Sequence, residues 1–152
     1  MGKTDSDRIE KSILLRAPRS RVWRALTDAG EFGAWFRVKL AGNFAVGKSI
    51  RGSITYPGYE HLTLEMTVER MEPERLFSFR WHSDSVDPQR DYASEPATLV
   101  EFRLEEAAAD TRLTVVESGY DQFPPGRRDE AFRMNAEGWD IQMENIQRHV
   151  AA

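Results

Sequence analysis

The chain of 152 residues contains no cysteine. Disulfides and thiolate metal sites are therefore excluded, and such a composition suits a reducing cytoplasm, the location expected here. No apolar run approaches the ~20 residues that cross a bilayer, so no membrane span is expected. The start of the chain, Met1 to Lys11, is too polar and charged for a secretory signal. An excess of basic charge is missing as well. Lys and Arg number 21 against 25 Asp and Glu, for a net charge of -4. Nucleic-acid-binding domains usually show the opposite balance, so no nucleic-acid partner is expected.

Chemical signatures are equally sparse. There is no Gly-x-Ser-x-Gly turn, and no His-x-His or His-Glu-x-x-His spacing. His61, His82 and His149 bring no obvious third metal ligand. Gly42, Gly47 and Gly52 do not form a phosphate-cradling loop. Asp84, Asp87, Asp91 and Glu95 lack the glycine and spacing of a calcium loop. No catalytic set, metal or cofactor is expected.

What the chain does have is aromatic mass and clear periodicity. Eight Phe, four Trp and four Tyr supply large apolar area. Residues 1–7 read as a disordered tail, and 8–152 as one domain, the ordinary size for a single core. Arg8 to Arg16 reads as a strand with Ile9, Ile13 and Leu15 on one face and Lys11 the exception. After Pro18, which suits a first helical turn, Val22, Trp23 and Leu26 form a helical stripe. A second short helix is expected from Glu31 to Phe36.

The period then changes to two. Ile50, Ile54 and Tyr56 alternate with Arg51, Ser53 and Thr55 before a Pro57-Gly58 turn. Leu62 to Val68, Phe77 to Trp81, Val100 to Leu104 and Thr111 to Glu117 continue the pattern. One-sided alternation of this kind predicts an antiparallel sheet with one buried face. Arg51, Glu65, Arg80, Glu101 and Arg103 fall on its solvent side, where opposite charges pair across strands. From Asp129 to Val150 there is no proline, and Phe132, Ala136, Trp139, Met143, Ile146 and Val150 recur at spacings of three and four. A helix of ~20 residues is ~30 Å long, enough to cross the buried face. Gly138 interrupts it at a cost of about 1 kcal/mol relative to Ala, which lets something approach the helix closely. The fold class is therefore α+β, a curved antiparallel sheet wrapped around a long C-terminal helix, with two short helices after the first strand.

This order resembles the START-like (SRPBCC) superfamily, the helix-grip fold, and within it the branch of heat-shock-protein ATPase activator homologues. The residues that carry the resemblance are Ile13 to Pro18 with Val22 to Asp28, Trp35-Phe36, Gly47-Lys48, Val68 to Pro73, Leu76 to Trp81, the strands Thr98 to Leu104 and Thr111 to Glu117, and Gly138-Trp139. Where the second helix commonly ends in a Trp-Trp pair, this chain has Trp35-Phe36. Members include lipid carriers, hormone-binding proteins, aromatase/cyclases and co-chaperone domains, so the resemblance speaks to fold far more than to function.

It implies a pocket between sheet and helix for a small hydrophobic or amphipathic ligand. The candidate wall is Trp35, Tyr56, Met66, Phe79, Trp81, Phe102, Tyr120, Phe132, Trp139 and Met143. Apolar walls with few polar groups are what small-molecule sites need; the same residues could equally pack as a solid core. Two other readings stand beside it. Glu117 and Tyr120 could place an acid and a phenol at a pocket mouth, for a cyclase or hydrolase type of enzyme. The family's name points instead to a module that docks on a chaperone. The polar stretch from Ser83 to Pro96 and the segment Tyr120 to Gly126 are the expected entrance elements. Oligomeric state is not legible from the sequence.

Overall fold

The computed structural model describes residues 8–82 and 96–151. The N-terminal tail and the acidic loop with its expected entrance role, residues 83–95, lie outside the described residues.

Strand β1 (Arg8–Leu15) leads into two short helices, α1 (Arg19–Thr27) and α2 (Ala29–Phe36). Pro18 stands immediately before α1. Asp28 separates the helices and caps the second, its Oδ1 accepting the Glu31 N–H at 3.0 Å; such a cap satisfies a donor that the first turn would otherwise leave open. Helix α2 therefore starts two residues before the sequence expectation, and ends at Arg37, which adopts a left-handed φ of 71°.

Six further strands follow: β2 (Val38–Leu40), β3 (Ser49–Ile54), β4 (Thr63–Glu72), β5 (Leu76–Trp81), β6 (Thr98–Ala107) and β7 (Asp110–Ser118). All seven form one antiparallel sheet in the order β1-β7-β6-β5-β4-β3-β2. A bulge between Val68 and Arg70 of β4 helps to curve it. Strand β2 was not anticipated, because three residues are too few to show a period. It docks through Gly52 of β3: a Cβ there would come within 2.7 Å of Val38 Cγ2 and 2.8 Å of the Lys39 carbonyl.

Strand β3 ends at Ile54, so Tyr56 does not continue the inner face as its alternation suggests. The Ile54 N–H donates to the Leu62 carbonyl at 3.1 Å, and the intervening residues turn outward through Gly58 at φ 93°. The charged residues behave as alternation requires. Arg51 faces Glu65 in register, with Nε on the carboxylate at 3.0 Å, and Arg80 pairs with Glu69.

After a short 3-10 turn at Tyr120–Gln122 comes α3 (Pro125–Ala151), four residues longer at its start than the periodicity predicts. It lies along β1 and the short helices. Ala131, Trp139, Met143, Ile146 and Val150 are its buried residues. Lys11, the charged exception on β1, explains itself by reaching Asp140 on this helix at 3.1 Å. The core between sheet and helices is dominated by rings. Phe77, Phe79 and Phe102 are fully buried, and Phe32 meets Phe79 edge-on with centroids 6.5 Å apart. No helix among the described residues is long and apolar enough to cross a membrane.

Candidate functional site

Helix α3 leans toward the β1 side of the sheet. On the other side, between the helix and the β3–β4 turn, a cleft of about 290 Å³ remains open. Phe36 at the end of α2 and Trp81 at the end of β5 form part of its wall. Tyr56 and Tyr59 of the β3–β4 turn stand opposite the helix, their rings 5.8 Å apart. The helix contributes Met134, Asn135, Gly138, Trp139, Ile141 and Gln142. Apart from Trp139, which belongs to the buried stripe, these recur at one turn's spacing on a face beside that stripe.

Two indoles make the base of the cleft. Trp81 from the sheet and Trp139 from the helix stack with centroids 5.8 Å apart and planes 27° from parallel. Glu117 holds them from beneath. Alternation on β7 puts Thr111, Leu113, Val115 and Glu117 on the inner face, and Glu117 is fully buried. Trp81 Nε1 donates to its Oε2 at 2.8 Å, and Trp139 Nε1 to its Oε1 at 2.8 Å. Thr98 Oγ1 donates to Oε2 at 2.5 Å. A buried carboxylate is tolerated only where donors replace its hydration, and here donors converge from β5, β6 and α3. The Asn135 amide extends the network, donating to Tyr120 Oη at 2.8 Å and to Glu117 Oε2 at 3.4 Å.

A second pocket, of about 240 Å³, lies one helical turn further along α3, lined by Ala34, Trp35, Arg37, Asn145, Arg148 and His149. Beside it, Glu31 ties three helices together. It takes Arg21 at 2.7 Å and Arg24 at 2.8 Å from α1, and meets His149 of α3 at 3.0 Å. Burial acts to raise the Glu31 pKa, but the hydrogen bonds of His149 and Arg21 and the charges of Arg21 and Arg24 outweigh it. The net shift is downward. A carboxylate with a depressed folded-state pKa stabilises above its unfolded pKa and loses that contribution as pH falls through the folded one. The melting temperature of Glu31→Gln should therefore lie a few degrees below wild type near neutrality, for a network worth about 1 kcal/mol. The gap should narrow and then close as pH falls through the folded-state pKa, which lies below the ordinary glutamate value; thermal melts from neutral to acid pH would refute the assignment if the gap stayed constant.

The decisive comparison concerns the family described as Activator of Hsp90 ATPase homolog 1-like protein, whose sequence model matches residues 16–151. The chain belongs to that family. Among solved structures, protein MLL2253 from Mesorhizobium loti is 24% identical with a TM-score of 0.75, over 95% of this chain and 96% of that one. The Aha1 dimer from Colwellia psychrerythraea gives 15% and 0.70, over 94% and 95%. CalU16 from Micromonospora echinospora gives 20% and 0.68, over 94% and 75%. At these identities the likeness is one of fold. No curated protein matches the sequence.

In this domain, the ten side chains proposed from sequence divide by position. Tyr56, Trp81 and Trp139 line the cleft. Met66, Phe79 and Phe102 are fully buried behind it, the Phe102 ring edge-on to Trp139 at 5.7 Å. Trp35 is buried with its indole N–H on the Ala25 carbonyl at 2.9 Å, and borders the second pocket. Tyr120 is fully buried against Phe132, centroids 5.3 Å apart, and Met143 is buried further along α3. Phe123, in the other expected entrance element, is also part of the core. Phe36, Tyr59, Asn135, Ile141 and Gln142 also line the cleft, beyond the wall residues expected from sequence. Met134, Gly138 and Ile141, spaced by four and three, were the available signal for a second helix face. Among the described residues no three His, Asp or Glu side chains converge as metal ligands do.

Proposed function

We propose that this domain binds a small apolar or amphipathic molecule in the cleft between α3 and the β3–β4 turn. The observation that carries this reading is where apolar surface stays uncovered. Five large apolar side chains remain exposed among the described residues, and three of them, Tyr56, Tyr59 and Ile141, stand around this one cleft. Scattered exposed hydrophobic residues are ordinary, whereas a cluster around a concavity is the usual mark of a binding site. The cleft is mostly apolar with a few amides, the composition of small-molecule sites. A cysteine-free chain supports a cytoplasmic setting for such a binder.

The role of Glu117 favours binding over catalysis. Its carboxylate is spent on holding the indoles, with both oxygens engaged by buried donors. A cyclase or hydrolase reading would need it released from them.

A second reading, docking on a chaperone, draws on the name of the family to which the chain belongs, and the same exposed rim would serve it. Titration with the neutral fluorophore N-phenyl-1-naphthylamine separates the two. Saturable binding of one molecule per natively folded chain is expected, with Kd on the order of 10 μM for an apolar ligand of that size. A folded protein that shows no saturable site would transfer the rim to the chaperone reading.

A further inference from the structure

We propose that the ligand of this cleft carries an anionic head group, and that Arg37 and Arg148 bind it in the polar pocket adjoining the cleft. The inference rests on the binding reading above and adds the chemistry of the ligand's second end.

The two pockets are separated by a single ridge. Phe36 lines the cleft, while its neighbours Trp35 and Arg37 line the polar pocket. Gln142 crosses the ridge. Its Nε2 donates to the Phe36 carbonyl at 3.2 Å, and its Oε1 accepts from Asn145 of the polar pocket at 3.1 Å. The Arg37 guanidinium lies 5.9 Å from the centre of the Tyr56 ring on the cleft rim. An elongated molecule seated on the indoles therefore needs only to pass this ridge to bring its end to the arginines.

The charge balance at that end is positive in a chain whose net charge is -4. Glu31, the nearest carboxylate to His149, is already matched by Arg21 and Arg24. Arg148 meets Glu144 only at 3.9 Å, with both side chains about two-thirds exposed, so that pair holds it weakly. Arg37 has no ion pair among the described residues. Its backbone, by contrast, is fixed on both sides: the Arg37 N–H donates to the Gly33 carbonyl at 2.9 Å, and its carbonyl accepts from Thr55 at 2.9 Å. A residue held at φ 71°, where side chains other than Gly are strained, projects its guanidinium from a fixed base. Guanidinium groups bind carboxylates and phosphates through two parallel N–H bonds, and Arg148 is additionally oriented by Asn145 Oδ1 at 2.6 Å.

The test uses two ligands with the same apolar chain, decanoate and decanol, each displacing N-phenyl-1-naphthylamine at about pH 8, where the acid is ionised. Wild type should bind decanoate at least about tenfold more tightly than decanol, the gain of a charge-assisted hydrogen bond. Arg37→Gln together with Arg148→Gln should bring the two ligands within about twofold, through a loss of decanoate affinity. Both arginines are exposed, and circular dichroism would confirm that the variant keeps the native fold. Equal affinities in wild type, or a preference that survives both substitutions, would overturn the anionic head site and leave the cleft standing. If neither ligand displaces the dye, or the dye itself does not bind, the cleft reading fails and this inference fails with it.

Discussion

Replacing Gly138 with leucine is expected to close the cleft while leaving the protein folded and slightly more stable. Gly138 lies mid-helix on the cleft wall, and a Cβ built on it meets nothing within 4 Å. The glycine is thus not demanded by close helix packing, since the space above it is open. A helix-interior glycine costs about 0.8–1 kcal/mol relative to alanine, and leucine recovers most of that. For a domain of this length the melting temperature should rise by roughly 2–3 °C. The isobutyl group would meanwhile occupy the room between the stacked indoles and the tyrosines. Affinity for N-phenyl-1-naphthylamine should fall by at least about tenfold, since an overfilled apolar site costs roughly 1–3 kcal/mol. Gly138→Ala should show the stabilisation with a much smaller loss of binding. Fluorescence titration and thermal melts of the three proteins read both effects. Undiminished dye affinity in the folded leucine variant would place the ligand elsewhere.

Glu117→Gln should produce the opposite pattern, a large loss of stability that also disturbs the site. The two isosteres differ in what their second atom does. Each carboxylate oxygen of Glu117 accepts one indole N–H, from Trp81 on Oε2 and from Trp139 on Oε1. Glutamine offers one acceptor, and its amide nitrogen would meet the other indole donor to donor. One charge-assisted bond is lost and a buried donor is left open, together about 3 kcal/mol. The melting temperature should drop by roughly 6–12 °C. The structural signature is specific: one indole must leave its stacked position, so tryptophan emission and near-ultraviolet dichroism should change at temperatures where the variant is still folded. Stability and tryptophan spectra equal to wild type would show that the carboxylate does not hold the indole pair.

The two variants separate the roles that meet at this site. Gly138 provides volume and contributes nothing to stability. Glu117 provides orientation from beneath and is expected to touch no ligand. The proposed binding function needs both, because an apolar cleft with mobile walls would collapse on itself rather than stay open.

How far the sequence reached depended on whether a signal was local. The alternation of Leu64, Met66 and Val68 and the three-four spacing of Trp139, Met143 and Ile146 are local, so the sheet face and the helix stripe were legible. Periodicity failed where an element was too short, as at β2 (Val38–Leu40), or where a turn interrupted it. Tyr56 keeps the parity of Ile50 and Ile54, yet the hydrogen bond from Ile54 to Leu62 closes the strand before it. The ring goes to the rim of the cleft instead of the core.

Glu117 shows both sides of the division. Its inward direction follows from parity with Leu113 and Val115 and can be read from the sequence. That a carboxylate can stay there is decided by donors 36 and 22 residues away along the chain. The pocket lining reaches further still: Gln142 bonds to Phe36 across 106 residues, and His149 to Glu31 across 118. The sequence by itself determined the element order, the buried faces and the family resemblance, because side-chain period and turn chemistry act between near neighbours. Only the tertiary structure decided that the helix leans on β1 and leaves a gap over the β3–β4 turn, because a cleft is the space that contacts elsewhere in the fold fail to fill.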